Sequence, residues 1–148
     1  MKKVIYLLLI SFNFVLSSCQ SQTDYIKASE SEIDQEELNF AKDLSHKILT
    51  EQKKGGYYNL TENEATSKMA EGLNESLQKA SYKKIKALFG DYKDLKFESL
   101  MIGTKGNKFK IYRFKGIFDS GSDVEVRAVL NNKRKLAGFF IKPWNEAL

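Results

Sequence analysis

Lys108-Phe109-Lys110-Ile111-Tyr112-Arg113-Phe114-Lys115-Gly116-Ile117-Phe118 runs into Asp119-Ser120-Gly121-Ser122 and then into Asp123-Val124-Glu125-Val126-Arg127-Ala128-Val129-Leu130. Charged and apolar residues alternate through both long runs, and β-branched and aromatic types are common in them. A period of two is the mark of a strand, and the Ser-Gly stretch between the runs is turn chemistry. The signature continues outward on both sides. Residues Leu95 to Ile102 precede the pair across a Lys105-Gly106 turn, and Lys135 to Ile141 follow it across Asn132-Lys133. Pro143 closes the last run because it has no N–H to give a ladder. Four successive antiparallel strands are therefore expected between 95 and 141.

Tight loops fix register. They set residue 103 opposite 108, 118 opposite 123 and 130 opposite 135. One face then gathers Leu100, Ile102, Phe109, Ile111, Ile117, Val124, Val126, Ala128, Leu130, Ala137, Phe139 and Ile141, a core face. The other gathers Phe97, Met101, Tyr112, Phe114, Phe118, Val129, Leu136 and Phe140, with Lys110, Glu125, Arg127 and Lys142 among them. In this register Arg113 interrupts the core face, with Glu98 on one side and small Ala128 on the other. A buried guanidinium needs a carboxylate. The set reads either as a structural ion pair or as the floor of a pocket where Arg113 meets an anionic ligand. On the second face Glu125 and Arg127 project together among Phe97, Tyr112, Phe114 and Phe140. An apolar patch of that kind suits a partner or a second copy of the chain, unless the C-terminal tail or the first helix covers it.

Upstream the period lengthens. Ile33, Phe40, Ala41, Leu44 and Ile48 fall near one helical stripe, and Gly55-Gly56 stops it. Thr61-Glu62-Asn63-Glu64 has the form of a capping box for a short helix through Ala65, Met69 and Leu73. Asn74 or Ser76 can start a third helix carrying Leu77, Tyr82, Ile85, Leu88 and Phe89, with Gly90 as its left-handed stop. Helices followed by strands define an α+β class, with N-terminal helices packed on a curved four-stranded antiparallel meander. Tyr57 and Tyr58, just after the Gly-Gly stop, either lip a cavity or pack with their hydroxyls outward. His46 is the only histidine and falls at the solvent margin of the first helix. Trp144 is expected to plug one end of the core.

The N-terminus carries an address. Met1-Lys2-Lys3 precedes an apolar run from Val4 to Leu16, the length of a secretory signal and short of the roughly 20 residues a spanning helix needs. Leu16-Ser17-Ser18-Cys19 resembles the lipobox of bacterial lipoproteins. That resemblance implies cleavage before Cys19, lipidation of Cys19 (palmitate among its acyl chains), and a protein anchored in the bacterial cell envelope. It divides the chain into a signal peptide at 1–18, a tether at 19–32 and a single α+β domain at 33–148. A plain signal peptide with an unmodified thiol is the alternative. Because Cys19 is the only cysteine, no intrachain disulfide can form.

Charge is uneven along the chain. Residues 19–52 carry eight acids against three bases, while 53–148 carry nineteen bases against eleven acids. The lysines are dispersed, with no arginine-rich stripe or nucleic-acid motif, so no nucleic-acid partner is expected. A single histidine and a single cysteine exclude a multi-histidine or cysteine-cluster metal site. No Gly-x-Ser-x-Gly is present, and the glycine turns lead into strands rather than helices, which argues against a phosphate cradle. No cofactor and no catalytic set are expected.

Three stretches carry a further resemblance. They are Lys86-Ala87-Leu88-Phe89-Gly90-Asp91-Tyr92, Ile111-Tyr112-Arg113-Phe114-Lys115-Gly116, and Lys135-Leu136-Ala137-Gly138-Phe139-Phe140-Ile141-Lys142-Pro143-Trp144. With the helices-then-strands order, residues 38–144 resemble a bacterial domain of the nuclear-transport-factor-2-like, or cystatin-like, superfamily found in small lipoproteins. The resemblance implies a cone-like fold and an accessory role, binding a small ligand or a protein partner. Its enzymatic branch, typified by ketosteroid isomerases, implies instead a small lyase or isomerase using Glu98 with Arg113, or His46.

Overall fold

Asp34 starts the helical layer. Its carboxylate accepts the amides of Glu36 and Glu37 at 2.9 and 3.1 Å, satisfying two of the donors that a helix start leaves open. The first helix, α1, then runs Gln35–Lys53. Ala41, Leu44, Ser45, Ile48, Leu49 and Gln52 are buried at helical spacing along it. Gly55, at φ +83°, turns the chain out of the helix as the Gly-Gly pair predicts. This computed structural model describes residues 24–146 except Asn107. The signal segment 1–18, the lipobox cysteine Cys19 and tether residues 20–23 lie outside the described residues.

The Thr61–Glu64 box closes a turn instead of opening a helix. The Glu64 carboxylate accepts both the Thr61 amide, at 3.1 Å, and the Thr61 hydroxyl, at 2.9 Å. The hydroxyl therefore donates where it was expected to accept. The helix itself, α2 at Ser67–Gly72, is capped by Thr66, whose Oγ1 accepts the Met69 amide at 3.2 Å. The third helix, α3 at Glu75–Phe89, is capped by Asn74 through the Leu77 amide at 3.0 Å. Its buried stripe is Gln78, Tyr82 and Ile85; Leu77 and Leu88, expected there, are exposed. Gly90 ends α3 at φ +78° and ψ −164°, an extended mirror-image conformation and not the left-handed helical one expected.

Five strands form one antiparallel sheet in the order β1-β2-β3-β4-β5. They are β1 (Tyr25–Lys27), β2 (Tyr92–Gly103), β3 (Lys110–Phe118), β4 (Val124–Leu130) and β5 (Leu136–Pro143). The four expected strands are β2 to β5. The fifth corrects the tether reading: Tyr25–Lys27 pairs with Gly103, Ile102 and Met101 at the edge of the sheet. Residues Glu30–Glu32 add a single 3-10 turn, held by Glu32, whose carboxylate accepts the Ser29 amide and hydroxyl, both at 2.8 Å.

Register departs from the tight-loop expectation at all three hairpins. A bulge between Phe97 and Ser99 shifts the second half of β2 by one, so Arg113 faces Ser99 and not Glu98. Between β3 and β4, Gly116 pairs Val124 and Arg113 pairs Arg127, a slip of one that moves Ala128 opposite Tyr112. The cause is local. The amides of Asp119 and Ser120 bond the carbonyls of Asp91 and Phe89 in the α3–β2 connection, which leaves a longer loop to β4. Between β4 and β5 most pairs slip by two, which preserves the faces.

The rows that result are coherent. One face stacks Leu95, Gly116 and Val124, then Phe97, Phe114, Val126 and Ile141, then Leu100, Tyr112, Ala128 and Phe139. Helix α1 packs on β2, β3 and β4 of this face and against α3, while α2 packs on β5. Tyr112, Phe114, Val126 and Ala128 are completely buried there. Ile111, Arg113 and Ile117, expected in the core, lie on the opposite face.

Candidate functional site

The register slip gathers charge on that opposite face. Arg113 and Arg127 sit in one row, and Glu125 lies in the next, between Lys115 and Lys142. Arg113 Nε donates to Glu125 Oε1 at 2.5 Å, and Arg127 Nε donates to the same oxygen at 2.6 Å. Lys142 Nζ stands 3.6 Å from Oε2. Glu125 is 0% exposed and Arg113 5%. The chain after β5 roofs them. Arg113 Nη2 donates to the Asn145 carbonyl, and the Trp144 ring lies 4.7 Å from the guanidinium carbon and 5.0 Å from Lys115 Nζ. Burial pushes the Glu125 carboxyl up, but the hydrogen bonds from Arg127 and Arg113 outweigh it and hold it below the usual range.

This arrangement decides most of the sequence-based candidates. Arg113 has its carboxylate, but it is Glu125. Glu98 is exposed at the bulge, and Ala128 is in the core on the other face, so Glu98, Arg113 and Ala128 do not line one pocket. The candidate interface divides likewise. Phe97, Tyr112 and Phe114 belong to the helix-covered face; Glu125 is sealed and Arg127 half-buried under the tail; only Phe140 is exposed, at 55%. Trp144 closes this charged cluster and does not plug a core end.

The remaining candidates lie apart from this cluster. Tyr58 is half-buried and donates its hydroxyl to Glu64 at 2.7 Å; that bond, with burial behind it, raises its pKa to about 12. Its neighbour Tyr57 is exposed. His46 is exposed and its Nδ1 lies 2.7 Å from the hydroxyl of buried Tyr92. A second charged cluster has no counterpart in the helical or strand periodicity. Glu37, buried on α1, takes hydrogen bonds from Lys110, from Tyr112 at 2.9 Å and from Arg134 at 3.2 Å. Burial and that bond to Glu37 push the Tyr112 hydroxyl well above its ordinary pKa.

A concavity lies elsewhere. A cleft of about 690 Å³ opens between α2, the start of α3, the β2–β3 and β4–β5 hairpin loops and the edge strand β5. Its walls include Met69, Leu73, Leu77, Phe109, Phe139 and Phe140, with Lys68 and Lys108 as the only charged lining residues among the described ones. Leu77 is 48% exposed, so its apolar surface is open to an occupant. The volume falls within the range that buries a small ligand. Sequence periodicity assigned Leu77 and Leu73 to helix packing; half-buried Leu73 does pack against the core, whereas Leu77 stands off the Gln78–Tyr82–Ile85 stripe. Among the described residues no group of three or more His, Cys, Asp or Glu could hold a metal ion, and no helix is long and apolar enough to cross a membrane. Comparison with known proteins gives no matching family model, curated protein or solved structure.

Proposed function

We propose that the chain is a non-catalytic lipoprotein of the bacterial cell envelope, tied to a membrane through a lipidated Cys19, whose α+β domain binds a small ligand or a protein partner. The observation that carries the binding part is the cleft beside β5, where exposed Leu77 and Phe140 join a largely apolar wall edged by Lys68 and Lys108. Helices followed by an antiparallel sheet support placing it in the nuclear-transport-factor-2-like superfamily with a cone-like curved meander. A small lyase or isomerase is less well supported, because among the described residues Glu98, Arg113 and His46 are not brought together: Glu98 is exposed at the β2 bulge, Arg113 is buried with Glu125, and His46 lies on α1 beside Tyr92. Of the sheet surface that a homodimer would use, Phe140 and part of Arg127 remain open.

Two variants test the two halves. Cys19→Ser should move the protein from the membrane to the soluble envelope fraction; retention at the wild-type level would contradict the anchor. Phe140→Asp puts a charge at the cleft without touching the core. Native mass spectrometry of gently purified full chain should show a bound molecule or partner on the wild type and little on Phe140→Asp. Identical spectra from the two would remove the cleft as the binding site.

A further inference from the structure

The cleft has a chemical bias as well as a shape. Its charged lining residues, Lys68 and Lys108, are both cationic, and neither makes an ion pair among the described residues. Two of the polar side chains beside them, Asn131 and Thr66, have donors to offer. Asn131 Oδ1 already accepts the Lys133 and Lys135 amides, at 2.9 and 3.0 Å, which leaves its NH2 to donate. Thr66 Oγ1 accepts the Met69 amide, which leaves its O–H to donate. Ammonium groups, an amide NH2 and a hydroxyl hydrogen beside an apolar wall suit an acceptor-only headgroup on a hydrocarbon chain.

We propose that the cleft binds a single-chain carboxylate amphiphile, a fatty-acid anion, with its chain on Met69, Leu73 and Phe139 and its carboxylate taken by Lys68 and Lys108. This rests on the binding role given above and names its ligand class. A carboxylate is small and accepts only, so it matches the donors without adding a group that needs an acceptor in return. The volume of about 690 Å³ suits one chain with its headgroup and not a two-chain lipid. Lysine stems lie along apolar surface while their ammonium ends reach water, which lets both cations close over the headgroup after the chain has entered.

The test uses the full chain carrying Cys19→Ser, so that no attached acyl group competes. Dodecanoate and dodecyltrimethylammonium, which share a chain length and differ in the sign of the head, are titrated below their self-association concentrations. Amide NMR shifts at Leu73 and Gly138 report the site. Dodecanoate should bind at least about tenfold more tightly, Lys68→Glu with Lys108→Glu should reverse the order, and Phe140→Ala should weaken both ligands without changing it. Equal affinity, or an order indifferent to charge reversal, overturns the carboxylate assignment and leaves the cleft as a binding site. Silence at the cleft amides with both ligands overturns the proposal, and the comparison of wild type with Phe140→Asp then decides the binding role separately.

Discussion

Replacing Glu125 by glutamine should lower folding stability by about 3 kcal/mol or more, the typical cost of leaving a buried charge without its partner. Urea unfolding at pH 7 reads it directly as a lower midpoint. The size follows from geometry. Among the described residues Glu125 is the only carboxylate paired with Arg113, and Arg113 is buried beneath Trp144 with two of its remaining donors directed at the carbonyls of Asn145 and Glu146. The neutral amide keeps the shape and removes the charge, so the guanidinium stays buried and uncompensated. Arg127 is half-buried and recovers water more easily. Changing both Arg113 and Glu125 to leucine should restore part of the loss, because the buried Arg113 charge is removed with its partner, while Arg127, 13% exposed, still loses its carboxylate.

The same carboxylate fixes a pH dependence. Its folded pKa is depressed below the unfolded value near 4.5. Its stabilisation is therefore present above that value and disappears as pH falls through the lower folded pKa. Wild-type stability should decline through this acid window, and Glu125→Gln should lose that part of the decline. Parallel pH profiles for the two proteins would contradict the role given to Glu125.

Gly90→Ala is the other large effect expected. At φ +78° and ψ −164° Gly90 occupies backbone space that is essentially reserved for glycine, and a Cβ there would meet Asp119 Cβ at 2.6 Å. Strain of about 1–3 kcal/mol and steric displacement of a similar size act together. The clash falls on a junction, since the Asp91 amide bonds Asp119 Oδ2 at 3.0 Å and the Ser120 amide bonds the Phe89 carbonyl at 2.9 Å. Thermal denaturation should show a clear drop for Gly90→Ala. Gly121→Ala provides the contrast: φ is also positive there, at +70°, but nothing lies within 4 Å of the added carbon. Equal losses from the two would mean that the contact with Asp119 contributes nothing.

The sequence made the strands legible because alternation survives any register. It did not make the faces legible, because one extra residue at Glu98 and a five-residue loop after Phe118 each exchange in for out. Neither leaves a compositional mark. The loop's length is set by hydrogen bonds to Phe89 and Asp91, which are distant along the chain. The correct sign of the Arg113 argument, that it must have a carboxylate, was available from chemistry alone; the partner's identity required pairing. Tyr25–Lys27 escaped notice because three residues carry too little periodicity to separate a strand from a polar linker. The Glu37 cluster combines α1, β3 and the β4–β5 loop, a meeting that helical periodicity does not encode.

That short edge strand determines how the molecule would respond to tension at its amino end. A pull at residue 24 is met first by the Thr104 amide on the Asp24 carbonyl, at 2.9 Å, and by the three rungs from Tyr25 to Lys27. Ile26 is 52% exposed and Lys27 is exposed too, so peeling these rungs uncovers little apolar surface. The strand is thus a mechanical fuse. Under such a pull it would yield first, freeing Tyr25–Lys27 before load reaches α1 or the four strands it edges.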